Sequence, residues 1–134
     1  MAPLVSLEIP PRTPYVGVVR LTIAALARHA ELDEEVVEDL RIAVSEACAN
    51  AVIANEEAGS SEAVLVDWLQ EDDRIVVEVG DRGSATPGGE APVDTDGFSS
   101  RLAMSVALLE SLVDDFTFAP REGGGTVARL TLSI

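Results

Sequence analysis

Leu40-Arg41-Ile42-Ala43-Val44-Ser45-Glu46-Ala47-Cys48-Ala49-Asn50-Ala51-Val52 places a carboxylate and a carboxamide one helical turn apart in an otherwise apolar run. Val36, Leu40, Val44, Ala47 and Ala51 recur at the three- and four-residue spacing of a buried helical stripe. Asp33, followed by Glu34 and Glu35, supplies an N-terminal cap and favourable charge, so a helix is predicted from about Asp33 to Glu57. At about 100° per residue, Glu46 and Asn50 share one edge of the stripe, where a helix leaves the core and borders a cleft. Asn is a poor helix former because its side chain competes for backbone hydrogen bonds. Two readings follow: Asn50 caps a nearby loop while Glu46 is solvated, or the pair binds a hydrated metal ion.

Outward from this helix, elements come in blocks. Leu4 to Ile9 alternates apolar and polar residues as a first or edge strand, closed by Pro10-Pro11. A helix is expected from Thr13 or Pro14 to about His29, with Val16, Val19, Ile23, Leu26 and Ala27 inward and His29 on its polar side. Ala63 to Gln70 and Arg74 to Val79 read as a hairpin across Glu71-Asp72-Asp73. Gly80 to Gly97 holds five glycines, two prolines and four acids without hydrophobic periodicity, and predicts a long flexible loop of functional kind. A third helix follows over Ser99 to Leu112, with Leu102, Val106, Leu109 and Val113 inward. Two closing strands, Asp115 to Ala119 and Thr126 to Ser133, flank the turn Pro120 to Gly125. This order predicts an α+β two-layer sandwich, three helices on one face of a mostly antiparallel mixed sheet.

With 134 residues, 47% of them hydrophobic, one domain with a real core is expected. No apolar run is long enough for a bilayer and no secretory signal opens the chain, so a cytoplasmic, membrane-free protein is predicted. Cys48 reads as a small buried hydrophobe. The formal charge of -15 disfavours nucleic acid, whose phosphates reward clustered positive charge. All nine basic residues are Arg, which excludes a Walker-type phosphate loop with its lysine. Basic protein surfaces suit such an acidic chain better.

Two further motifs accompany the helix. The strand Ile75 to Val79 runs into Gly80-Asp81-Arg82-Gly83, where an Asp can accept from an exocyclic amine and a Gly admits a flat ring. Gly123-Gly124-Gly125-Thr126, which also reads as a plain flexible hairpin, precedes the last strand. From Leu7 to Leu132, the three motifs in this order resemble the anti-sigma serine kinases of bacterial sporulation and stress responses. Those share the ATP-binding fold of DNA gyrase, the ninety-kilodalton heat-shock chaperone, histidine kinases and mismatch-repair ATPases. The most specific part is S-E-A-x-x-N-A, here Ser45 to Ala51.

The resemblance implies an ATP- and Mg²⁺-dependent serine kinase that sequesters a sigma factor and phosphorylates an anti-anti-sigma protein. Glu46 would be the general base, Asn50 the Mg²⁺ and ATP ligand, Asp81 the reader of the adenine amine and Gly83 the room for its ring. Thr126 would support Asp81, Arg101 would touch phosphate, and Arg20 would lie at the partner interface. The resemblance further implies a homodimer, with Leu4 to Ile9 as a contributing edge, and a lid over about 81–100. Ala85, Ala103 and Ser105 stand where the family has glycines, and Ala54 where it often has His. These replacements favour an alternative, a partner-binding module of the same fold with weak or no ATP binding.

Overall fold

The computed structural model describes residues 2–82 and 96–134, with side chains of the third helix described from 103 onward. The predicted lid, Gly83 and Ala85 therefore lie outside the described residues, as does the side chain of Arg101. The chain forms β1 (Val5–Ile9), a 3-10 turn (Thr13–Tyr15), α1 (Val16–His29), α2 (Glu34–Glu57), β2 (Val64–Gln70), β3 (Arg74–Gly80), α3 (Asp96–Leu112), β4 (Asp115–Pro120) and β5 (Thr126–Ser133). Pro14 sits in the 3-10 turn, where its missing N–H costs nothing. Asp33 does occupy the N-cap of α2, but its side chain makes no cap hydrogen bond.

The five strands are ordered β1-β2-β3-β5-β4. Every adjacent pair is antiparallel, which corrects the expected mixed sheet. The α3 crossover does set β4 running in the same direction as β3, but β5 inserts between them and pairs antiparallel with both. β1 lies at one edge, as predicted, and β4 at the other.

One face of the sheet carries the core. Val64, Val66 and Trp68 of β2, Ile75, Val77 and Val79 of β3, and Ala128 and Leu130 of β5 are buried there with the helices. The alternate residues Asp67, Glu78 and Arg129 line up across the other face through the pairs Asp67↔Glu78 and Glu78↔Arg129. Leu69 and Val76, paired on that second face, are nevertheless buried, so the alternation expected of a sheet covered on one side is interrupted there.

Helix α2 buries more than a stripe. Val37, Leu40, Ala43, Val44, Ala47, Cys48, Ala51, Val52 and Asn55 are all buried, while Val36 is only half-buried. The helix is flanked by α1, α3 and the sheet, so its apolar arc broadens and shifts from the single predicted line. Ala24 is likewise buried on α1 where Leu26 is half-buried; on α3 Leu109 is buried while Val106 is half-buried, and Val113, just past the helix, is buried. The side chain of Leu102 lies outside the described residues. His29 is exposed.

Both helix ends nearest the core close in the same way. After α1, Glu31 N–H bonds Arg28 carbonyl (2.9 Å) and Leu32 N–H bonds Ala27 carbonyl (3.2 Å), with Glu31 at φ 61. After α2, Gly59 N–H bonds Glu56 carbonyl (3.1 Å) and Ser60 N–H bonds Asn55 carbonyl (2.8 Å), with Gly59 at φ 68. These are Schellman closures, which need a left-handed residue; the first uses Glu, the second Gly.

Candidate functional site

Because α2 borders α3, the polar edge of α2 meets a side chain of α3 rather than solvent. Asn50 Nδ2 donates to Ser105 Oγ at 2.6 Å, and Ser105 Oγ donates to Glu46 Oε2 at 2.8 Å. Ser105 is buried, and Glu46 and Asn50 are half-buried. Asn50 thus caps no loop, and Glu46 is not simply solvated. The two side chains present hard oxygen donors in one place, a set that suits Mg²⁺, which is bound through few protein ligands together with substrate phosphates.

On its other side, Glu46 lines a groove of about 640 Å³ between α1 and α2, together with Arg20, Arg41, Ile42 and Ser45. Arg20 Nε donates to Ser45 Oγ at 2.9 Å, and Ser45 Oγ in turn donates to the Arg41 carbonyl at 2.6 Å. Arg41 Nη1 pairs with Glu38 at 2.9 Å, while its buried Nε has no partner among the described residues. Arg20 therefore stands in the groove that reaches Glu46, not away from the site.

The strand-end motif is built from backbone. Asp81 is buried, and its N–H donates to the Thr126 carbonyl at 2.9 Å. Thr126 thus sits beside Asp81, joined to it by this main-chain bond. Gly125, at φ 99, lies so close that a Cβ would come within 2.0 Å of the Asp81 carbonyl oxygen. The glycine run is consequently a fitted contact: Gly123, Gly124 and Gly125 all have positive φ. Arg82 Nη1 donates to the Glu122 and Gly124 carbonyls and Arg121 Nη1 to the Asp81 carbonyl (3.1 Å). Burial, followed by the nearby Arg82 charge, lowers the Arg121 pKa.

Asn55, fully buried, joins this end to α2. Its Nδ2 donates to the Glu62 carbonyl (2.8 Å) and its Oδ1 accepts the Arg82 N–H (2.9 Å). Sequence reasoning missed Asn55 and did not foresee the bonds of Ser105. Asn55 falls one turn and a fraction beyond Asn50, in the last turn of α2, and a second Asn within the helix carried the same warning as the first. Ser105 was marked only as a missing glycine, since a hydroxyl on α3 shows no spacing relation to α2. Cys48, between Glu46 and Asn50 in sequence, faces the core instead, and burial pushes its thiol up to about 12.

Three helices on a five-stranded antiparallel sheet, with a helix-borne acid and amide on α2 and an Asp at the end of β3, match the ATPase class that histidine kinases use. The family model described as a histidine kinase-like ATPase domain matches residues 9–132. Among curated relatives, the serine-protein kinase RsbW of Bacillus pumilus (strain SAFR-032) is 39% identical over 84 residues, covering 61% of this chain and 52% of that protein. RsbW of Bacillus subtilis (strain 168) is 30% identical over 135 residues, covering 95% of this chain and 84% of that one. RsbW of Listeria monocytogenes serotype 4a (strain HCC23) is 30% identical over 131 residues, covering 92% and 83%. The chain belongs to the histidine kinase-like ATPase domain family, with the RsbW serine-protein kinases.

The crystal structure of the RsbU and RsbW domains of Rv1364c from Mycobacterium tuberculosis shares the fold, with a TM-score of 0.70 at 22% identity over 96% of this chain. This chain spans 31% of that one, and about half the length of the Bacillus pumilus relative. Among the described residues, no helix is long and apolar enough to cross a membrane.

Proposed function

We propose that this chain is an ATP- and Mg²⁺-dependent serine protein kinase that sequesters a sigma factor and phosphorylates a serine of an anti-anti-sigma protein. The observation that carries this reading is Glu46 standing between two spaces: it is bonded to the Ser105 hydroxyl beside Asn50, and it lines the α1–α2 groove. In this reading Glu46 accepts the proton of a substrate serine hydroxyl arriving along the groove, and Asn50 holds Mg²⁺ with the ATP phosphates. Bound there, the ion neutralises phosphate charge, the main demand of phosphoryl transfer beyond positioning. Asp81 takes the adenine amine, with Gly83 beneath the ring, Thr126 behind Asp81 and Arg101 on phosphate. Arg20 meets the protein partner. The whole of 1–134 serves as one regulatory domain with a lid over about 81–100, working as a cytoplasmic homodimer in transcription and stress regulation.

The test is label transfer from γ-labelled ATP to candidate antagonist proteins. Transfer to serine is expected, and Glu46→Ala should lower its rate at least about 100-fold, the usual scale of a positioned base. Transfer surviving the substitution would remove Glu46 from that role. The second reading, a partner-binding module without efficient ATP use, is favoured by Ser105, whose hydroxyl already engages both Glu46 and Asn50. Calorimetric titration with Mg·ATP separates the two: heat with micromolar affinity supports the kinase, and silence supports the module.

A further inference from the structure

Ser105 has one hydroxyl hydrogen, and its neighbours decide where that hydrogen goes. An ionised carboxylate is acceptor-only, so the 2.8 Å contact to Glu46 Oε2 must use it. The oxygen of Ser105 can then only accept along its 2.6 Å contact with Asn50. The amide must therefore present nitrogen, not oxygen, to Ser105. That choice turns Asn50 Oδ1, the atom able to ligate a hard cation, to the other side of the amide. It also leaves Glu46 Oε1 unspent by the bond, while Oε2 holds the carboxylate in place. One buried hydroxyl, only 5% exposed, sets the orientation of both groups at once.

We propose that Ser105 is a positioning residue of the site: a side-chain clamp on α3 that fixes the Asn50 amide with its nitrogen on Ser105 and its oxygen turned from it, and locks the Glu46 carboxylate. This rests on the kinase reading of Glu46 and Asn50 and reverses the expectation drawn from the absent glycine, under which Ser105 marks a degenerate site. Without the hydroxyl, the amide has two orientations of similar energy and only one offers oxygen. Glu46 also regains the rotamer freedom of a long side chain. Ser105 touches neither the metal nor the substrate hydroxyl in this account; it acts through the two residues that do.

Three measurements on the full chain test the clamp. In the nucleotide-free protein, the side-chain NH₂ resonances of Asn50 should lie apart from those of free Asn and collapse toward them in Ser105→Ala. Unchanged resonances in that variant would overturn the proposal without reference to any kinase activity. By calorimetry, Ser105→Ala should weaken Mg·ATP binding by about 10-fold or more, the usual cost of removing a group that orients a metal ligand. Ser105→Thr, which keeps the hydroxyl, should stay near wild type. Equal urea midpoints verify that the fold is intact in both variants. Mg·ATP binding retained by Ser105→Ala, tighter binding by Ser105→Gly, or a loss in Ser105→Thr as large as in Ser105→Ala would each count against the hydroxyl. If the wild-type chain gives no heat with Mg·ATP, the kinase reading fails, and the Asn50 resonances still judge the clamp.

Discussion

The two ends of the candidate site are held in opposite ways. At the α2–α3 end, Glu46, Ser105 and Asn50 touch through side chains alone, two of them half-buried. At the strand end, main-chain groups of Asp81, Arg82, Gly124 and Thr126 take part in the contacts, to one another and to the side chains of Asn55, Arg82 and Arg121, with Asn55 buried as the link. Side-chain contacts can be exchanged for those of a ligand with little cost to the fold, whereas main-chain contacts cannot. The first end can thus exchange its contacts, whereas the second holds a fixed shape.

That contrast predicts where substitutions hurt stability. Gly125→Ala should be the most damaging, because the new Cβ would lie 2.0 Å from the Asp81 carbonyl oxygen at a φ of 99. A loss of about 3 kcal/mol or more is expected from such backbone strain and overlap, read as a lower urea midpoint. A variant as stable as wild type would show that the strand end is not rigidly built. Asn55→Ala comes next. It leaves the Arg82 N–H unsatisfied, at about 1–3 kcal/mol, and removes the bond to the Glu62 carbonyl, at about 1 kcal/mol, so a loss of roughly 2–4 kcal/mol is expected. Glu46→Ala should lower stability, read from the urea midpoint, by less, roughly 1–2 kcal/mol, since it takes the acceptor from the buried Ser105 hydroxyl but disturbs no main-chain contact. A large stability loss there would blur the distinction between the ends.

Cys48 sharpens the comparison through pH. Its folded pKa, about 12, is raised by burial above the ordinary value of 9.0. The unfolded thiol therefore ionises first, so the stabilising contribution is complete below pH 9 and is lost progressively between pH 9 and about 12. Chemical denaturation across that range should show the decline, and Cys48→Ala should remove this component. At pH 8 the thiol should resist alkylation in the native chain and react once urea unfolds it. Rapid native alkylation would mean that the helix segment between Glu46 and Asn50 opens locally. The smallest expected effect lies outside both ends: Glu31→Gly should stabilise by about 1 kcal/mol, because a non-glycine residue now occupies the left-handed position of the α1–α2 turn. A thermal melt with no rise would show that Glu31 compensates by contacts of its own.

Local pattern carried most of the fold. The five strands and three helices fall within a few residues of the expected bounds because each has its own periodicity and its own punctuation: Pro10-Pro11, Gly59, the acidic 71–73 turn and the glycines at 123–125. The site was legible to the extent that its residues share an element. Glu46 and Asn50 were found because four residues make one turn, and Asp81 because it ends a strand. The corrections all concern packing between elements: Val37 rather than Val36 buried on α2, and a sheet made wholly antiparallel by the place of β5.

The sequence by itself determined the helix that carries Glu46 and Asn50, the strand that ends at Asp81 and the left-handed glycines before Thr126, since helical and strand periods are properties of neighbouring residues. Only the tertiary structure decided that Ser105, 59 residues from Glu46, binds both polar groups, and that Asn55 grips Arg82 from 27 residues away. Those bonds depend on how α2 packs against α3 and the sheet, and a hydroxyl or an amide leaves no periodic trace of the partner it will meet.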